Sequence, residues 1–248
     1  MGSEIRETLA GKVALITGGT RGIGRAVASA YARAGASVFI CGRRQEGLVQ
    51  ALNEVRNSGG HVEGIAGDVG RVEDVRRIVR TALDHYGTIQ VLVNNASLLG
   101  PRAPIASYPA AAWEEVIRAN LSGPFFMIQE VLKIMTPQRQ GSIINVSSGV
   151  GRAGKAHWGA YAASKFGLEG LTQVLAEELK QAGIRVNAIN PGPTRTEMRA
   201  HAYPDEDPMT LPLPDDIVPA FLYLASDESI GITGQSLDAQ NWQPVDSR

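Results

Sequence analysis

Short apolar runs rich in Val and Ile alternate along this chain with longer segments of helical period. The runs lie at 12–17, 37–41, 62–66, 89–94, 142–147, 185–190 and, more weakly, 235–237. Near-continuous apolar runs of this length suit strands covered on both faces. Helical candidates fall between them, at 23–34, 45–57, 71–86, 112–135, 160–181 and 215–226. Strand and helix alternating over the whole length predict an α/β protein with one doubly wound parallel sheet of about seven strands and helices on both faces. No internal repeat or low-complexity linker divides the chain, so residues 1–248 read as a single domain. Any substrate pocket must then come from loops at the carboxyl ends of the strands.

Composition narrows the function classes. A chain of 248 residues can bury roughly three quarters of its unfolded surface. One Cys excludes an internal disulfide framework. The net charge of −1 gives no basic excess for nucleic acid or an anionic membrane. No apolar run approaches the roughly 20 residues of a membrane helix. The N-terminal MGSEIRETLAGK is polar and lacks a signal-peptide core, which points to a cytoplasmic protein. The histidines, His61, His85, His157 and His201, show no metal-ligand spacing with one another or with Cys41, so no metal is expected.

The first strand, Val13-Ala14-Leu15-Ile16, runs into Thr17-Gly18-Gly19-Thr20-Arg21-Gly22-Ile23-Gly24 and then a helix. Strand, glycine turn and helix in this order place a pyrophosphate on a helix N-terminus, as in a Rossmann-like sheet. Gly18 permits the turn; Gly22 and Gly24 allow close approach of phosphates and of helix to sheet. A glycine-rich turn by itself could be a tight connection only; its place after the first strand favours nucleotide binding. An NAD site would want a carboxylate near the end of the second strand. Here that strand ends Ile40-Cys41-Gly42-Arg43-Arg44. Two guanidiniums, with Arg21 as a third, suit a ribose 2′-phosphate, so NADP(H) is expected over NAD(H). The other reading of these arginines is solvated surface charge.

Tyr161-Ala162-Ala163-Ser164-Lys165 opens a long amphipathic segment. Residues four apart share a helix face. A free phenol titrates near 10, too high for neutral acid–base work, and a neighbouring ammonium lowers that value. A tyrosine so tuned can exchange a proton with a carbonyl or carbinol oxygen. Ser148 ends the run Ile143-Ile144-Asn145-Val146-Ser147-Ser148, thirteen residues before Tyr161. Ser147 is its nearest rival.

The glycine loop, Asn94-Asn95-Ala96, Ser148, Tyr161 with Lys165, and Pro191-Gly192 followed by Thr196 stand in the order and spacing of the short-chain dehydrogenase/reductase family. The resemblance runs from about Leu9 to Asp238. It implies NAD(P)-dependent interconversion of an alcohol and a carbonyl. Carried over by position, Tyr161 would be the acid/base, and Lys165 would hold the nicotinamide ribose and lower the tyrosine pKa. Ser148 would orient the substrate oxygen. Asn120 looks like the fourth catalytic member, which holds a relay water behind the lysine. Asp68, with Val69, resembles the adenine contact. Asn94 and Ala96 would line the adenosine side. Thr196 would meet the carboxamide end, Pro191, Gly192 and Thr194 would also bind the cofactor, and Thr20 and Ile23 belong to the phosphate loop. Trp158 would line the substrate pocket with Ser148 and Tyr161.

The chain also departs from the family. Gly commonly follows Asn-Asn-Ala, where this chain has Ser97, a small residue of little expected effect. Seven of the 13 prolines lie from Pro191 to Pro219. Those at 204, 208, 212 and 214 exclude a long helix and predict a short, stiff lid over 197–214. Arg102, Arg152, Lys155 and Arg199 either rim the site for an anionic substrate or are solvated charges. The family's usual Asp-Gly-Gly ending is replaced by Asp238-Ala239-Gln240-Asn241-Trp242. By resemblance, a homodimer or homotetramer would form through the segments holding Trp113 to Met135 and Tyr161 to Lys180. The expected partner is a small-molecule carbonyl or alcohol. Narrower alternatives are a 3-oxoacyl-thioester reductase and a non-catalytic cofactor-sensing protein on the same fold.

Overall fold

The computed structural model describes residues 8–57 and 60–243. The polar N-terminal residues 1–7 and the end of the C-terminal segment, 244–248, lie outside them. The seven strands form one parallel sheet in the order β3-β2-β1-β4-β5-β6-β7, the doubly wound arrangement expected. They are β1 Val13–Thr17, β2 Ser37–Gly42, β3 His61–Ala66, β4 Val91–Asn94, β5 Gly141–Val146, β6 Ile184–Asn190 and β7 Ser236–Asp238. The chain order reverses between β1 and β4, which opens a crevice at the carboxyl edge there.

Side chains alternate between two cores. Ala14, Ile16, Val38, Ile40, Val91, Val93 and Ile144 face one layer. It is covered by α1 (Gly22–Arg33), α2 (Gln45–Asn57) and α8 (Val218–Ala225). Leu15, Phe39, Leu92 and Ile143 face the other, under α3 (Val72–Tyr86), α5 (Gly123–Gln138) and α6 (Gly159–Leu179). Burial on both faces is why the strands read as unbroken apolar runs rather than as alternation. In α3 the buried residues are Val75, Ile78, Val79 and Ala82, the expected i, i+3, i+4, i+7 stripe. Gly87, at φ +74°, ends it. Across the first layer, Tyr31 Oη donates to the Phe221 carbonyl at 2.8 Å and fixes α1 against α8.

The expected helix over 112–135 is helical throughout, within 110–138, but not uniform. Helix α4 covers Ala110–Ile117, a π-turn covers Arg118–Ser122, and α5 follows. Pro124 is the physical reason: with no N–H it cannot donate to the Asn120 carbonyl, and the widened turn takes up the lost bond. The 197–214 segment holds the six-residue α7 (Glu197–Ala202), a 3₁₀ turn at Pro208–Thr210 and the start of another at Pro214–Ile217. No helix among the described residues is long and apolar enough to cross a membrane.

Candidate active site

A cavity of about 680 Å³ follows the carboxyl edge of the sheet. At one end stand Arg43 and Arg44 after β2, and Asp68 and Val69 after β3. The glycine loop contributes Gly18, Thr20, Arg21, Gly22 and Ile23. Ala96, Ser148, Trp158, Tyr161 and Lys165 line the middle, and Pro191, Gly192, Thr194 and Thr196 close the far side. A volume of this order is what a dinucleotide and a small substrate require.

Local geometry supports a dinucleotide cradle. Gly18 and Gly22 adopt φ of +65° and +54°, the left-handed region that favours glycine. Gly24 does not reach the cavity. A Cβ there would run into the Gly18 carbonyl and the Asn95 amide, so this glycine lets helix α1 sit against the loop. Asn94 is also absent from the wall. It is buried between strands, where its Nδ2 donates to Asn145 Oδ1 at 2.9 Å, and Asn145 Nδ2 donates to Thr172 Oγ1 at 2.9 Å. Its neighbour Asn95 lines the cavity instead, donating to the carbonyls of Thr17 and Gly18 at 3.0 Å each. Strand alternation sends successive side chains to opposite faces, which is why the first Asn points inward.

The charges around the cradle are mostly paired. Arg118 Nη1 meets Asp68 Oδ2 at 2.9 Å. Burial raises the Asp68 pKa, but hydrogen bonds from Arg118 and Gly70 and the charges of Arg118 and Arg43 outweigh it, leaving the carboxyl below its usual range. Arg43 faces Glu115 at 3.6 Å, and Arg21 pairs with Glu197 at the start of α7. Arg44 has no carboxylate partner among the described residues.

Tyr161 and Lys165 lie one turn apart at the start of α6, both buried. The Lys165 Nζ donates to the Val146 carbonyl at 2.7 Å and lies 5.4 Å from the Tyr161 ring centre. The expected lowering of the phenol does not appear in the protein as folded. Burial pushes Tyr161 up to about 12, against the opposing pull of the Ser97 and Ser148 hydroxyls. Burial also lowers Lys165 to about 8, with Glu169 opposing. Desolvation dominates both shifts. Trp158 packs edge-on against Tyr161 with ring centres 5.7 Å apart. Asn120 lies in the π-turn rather than on the wall. Its Oδ1 accepts from Leu98 N at 2.7 Å, and its Nδ2 donates to Leu98 O at 2.8 Å and to Ser164 Oγ at 3.1 Å.

The four rim cations all have partners in the fold. Arg152 pairs with Asp238 at 2.9 Å and Arg199 with Glu206 at 2.6 Å. Arg102 donates to the Ala202 carbonyl, and Lys155 to Tyr203 Oη at 2.8 Å. Tyr203 lies beneath the Arg199, Arg102 and Lys155 cations, 3.8, 5.0 and 5.1 Å from its ring centre, and so ties α7 down. Sequence reasoning missed Ser97, Leu98, Glu197 and Met198 on the cavity wall. It also missed Gln240, whose Nε2 donates to the Pro193 carbonyl at 2.5 Å and braces the loop beside Gly192. Only Ser97 carried a signal, its departure from the usual Gly.

This fold and this cavity are those of a nucleotide-dependent oxidoreductase, and the chain belongs to the short-chain dehydrogenase family, whose model matches residues 12–207. It is 40% identical over 238 residues to the uncharacterized oxidoreductase YciK of Escherichia coli K12, covering 95% of this chain and 94% of that protein. It is 38% identical to the 3-oxoacyl-[acyl-carrier-protein] reductase FabG of Thermotoga maritima, covering 92% and 95%. Among solved structures, a short-chain dehydrogenase from Escherichia coli CFT073 complexed with NADPH matches with a TM-score of 0.90 at 40% identity, covering 94% of this chain and 98% of that one. A Shigella flexneri 2a relative complexed with NADP matches with a TM-score of 0.91 at 39% identity, covering 95% and 99%.

Proposed function

We propose that this short-chain dehydrogenase interconverts a carbonyl and a secondary alcohol with NADP(H), using Tyr161 as acid and base. The carrying observation is that Tyr161, Ser148 and Lys165 share one cavity wall with the glycine loop and Arg44. Gly18, Gly22 and the amino end of α1 would hold the pyrophosphate. Arg44, which has no carboxylate partner among the described residues, would take the 2′-phosphate, with Arg43 and Arg21 released from weak, exposed ion pairs. The NADP and NADPH complexes of relatives support this preference. Asp68 and Val69 would flank the adenine, and Thr194 and Thr196 the carboxamide end. The nicotinamide, when bound, supplies or takes the hydride.

The chain handles the proton. Ser148 and Tyr161 line the same cavity, and their two hydroxyls would meet a carbonyl oxygen that gains negative charge during reduction. Tyr161 gives its proton to that oxygen, or takes it back in the oxidation. Lys165 Nζ, 5.4 Å from the Tyr161 ring centre, would then be the cation beside the resulting phenolate. Leu98, Leu99, Trp158 and Met198 give the substrate end an apolar wall, and α7 with the rest of 197–214 serves as a short lid.

A narrower reading, reduction of 3-oxoacyl thioesters, is favoured by the FabG relative. One experiment tests both. NADPH consumption is followed with ketones, 2-oxo esters and 3-oxoacyl thioesters, in wild type, Tyr161→Phe and Arg44→Ala. Tyr161→Phe should lose roughly 10²–10⁴-fold in rate while still binding NADPH. Arg44→Ala should weaken NADPH roughly tenfold and leave NADH unchanged. Near wild-type turnover in Tyr161→Phe would remove the tyrosine from its role. A thioester preference over simple ketones would select the narrower reading.

A further inference from the structure

We propose that Gln240 is a positioning residue for the nicotinamide half of the cofactor, acting through the loop from Pro191 to Thr194. The inference rests on the reading of NADP(H) as the cofactor, with Thr194 and Thr196 at its carboxamide end.

The loop has few backbone tethers of its own. Proline has no N–H, so Pro191-Gly192-Pro193 offers one backbone donor and three carbonyls. Asn190 Oδ1 accepts from the Gly192 N–H at 3.1 Å. Thr194 Oγ1 lies 3.2 Å from the carbonyls of both Pro191 and Gly192 and donates between them. These bonds run between close neighbours and tie the loop to its own flanks. The fourth group, the Pro193 carbonyl, accepts from Gln240 Nε2 at 2.5 Å across 47 residues of sequence. Among the described residues it is the one hydrogen bond to these four groups from beyond 190–194. The two segments also pack closely. Gly192 has φ +68°, and a Cβ there would come within 2.6 Å of Gln240 Cδ. The glycine leaves the space in which the amide lies.

Gln240 stands on a firm base. Asp238 ends β7 opposite Asn190 of β6. Its Oδ1 accepts from Asn190 Nδ2 at 2.7 Å and from Arg152 Nη1 at 2.9 Å. Ala239 is buried in the first core layer, and Trp242 stacks on Tyr223 of α8 with ring centres 5.1 Å apart. The 3₁₀ turn Ala239–Asn241 that carries Gln240 is therefore held on both sides. Pro191, Gly192 and Thr194 line the cavity and Gln240 does not, so it acts from behind the loop rather than on the cofactor. The family's usual Asp-Gly-Gly ending puts a glycine at this place, which supplies no amide.

The effect is local to one half of the ligand. Without the brace, binding must order the loop and the affinity falls by that cost. Only the nicotinamide half meets this loop. The adenosine half lies at the other end of the cavity, by Arg44 and Asp68.

The test measures binding by isothermal titration calorimetry on the full-length protein. Two ligands are compared: NADPH, and adenosine 2′,5′-bisphosphate, which keeps the adenine and the 2′-phosphate but has no nicotinamide. Gln240→Gly removes the whole side chain. Gln240→Met keeps its length and removes only the amide, and serves if Gln240→Gly fails to fold. Each should raise the Kd for NADPH about threefold and leave the bisphosphate unchanged; threefold is the low end for one hydrogen bond, because this amide is exposed to water. An NADPH Kd unmoved in the folded variants overturns the proposal. Equal weakening of both ligands overturns it too, since a support of the fold alone acts on both halves. Failure of the cofactor reading shows elsewhere, in a wild type that binds neither ligand, and takes this proposal with it.

Discussion

At the scale of single residues, the candidate active site is a place where burial works against charge. Lys165 is 2% exposed, and desolvation lowers its pKa from 10.5 to about 8. Its unfolded pKa is higher, so the unfolded chain binds more protons between the two values. The sign follows. Below pH 8 the folded state carries the full cost of a buried ammonium, and stability from this group rises as pH climbs from about 8 toward 10.5. Tyr161 works in the opposite sense. Its folded pKa of about 12 lies above the ordinary 10, so its contribution is complete below pH 10 and is lost as pH rises through 12. The two windows separate between pH 8 and 10. Lys165→Met should therefore abolish turnover and flatten the rise in stability across that interval. Urea melts of wild type and variant at pH 8 and pH 10 measure it. Parallel pH dependence in the two proteins would show that Lys165 is not held against its charge.

At the scale of elements, the π-turn at Arg118–Ser122 has the largest consequence for the site. By resemblance, Asn120 holds a relay water. In the structure its amide clasps the Leu98 backbone and meets Ser164, joining the 94–98 loop to α6. Asn120→Ala leaves two backbone groups of Leu98 without partners. These groups are only part-buried, so the loss should be about 1 kcal/mol of stability, the low end for an unsatisfied group. Thermal unfolding checks this, because loss of a relay water alone would slow turnover without lowering the melting temperature. The same element marks where the sequence stops being legible. The seven strands and the Tyr161–Lys165 helix were readable because periodicity and glycine placement are local signals. The π-turn at Asn120 depends on one proline changing a hydrogen bond four residues away. The inward turn of Asn94 and the Gln240 brace depend on neighbours distant in sequence, and no local pattern encodes them. The want of a long helix over 197–214 was legible from its prolines, but the anchor of that segment, Tyr203 among three cations, was not.

At the scale of the whole molecule, the parallel sheet puts the chemistry on one edge and leaves the outer helices to other uses. Two of them carry an apolar face. Phe125 on α5 and Phe166 and Val174 on α6 are 42%, 46% and 54% exposed. Between them a shallow cleft is lined by Leu121, Phe126, Gly167 and Leu171. Monomeric proteins seldom leave large apolar side chains grouped in this way. The face lies on the helices that the family resemblance marks for self-association. In a two-fold pairing each patch meets its own copy, so a single substitution enters the interface twice. Phe166 begins the turn after Lys165, so the contact would also steady the segment that carries Tyr161 and Lys165. Phe166→Asp should place two carboxylates in the paired surface and shift the protein to monomer at micromolar concentration. Turnover should fall only as far as the catalytic helix depends on the partner. Sedimentation velocity reads the first outcome and specific activity across a dilution series the second. A wild type that sediments as a monomer would assign this apolar face to something other than a second copy.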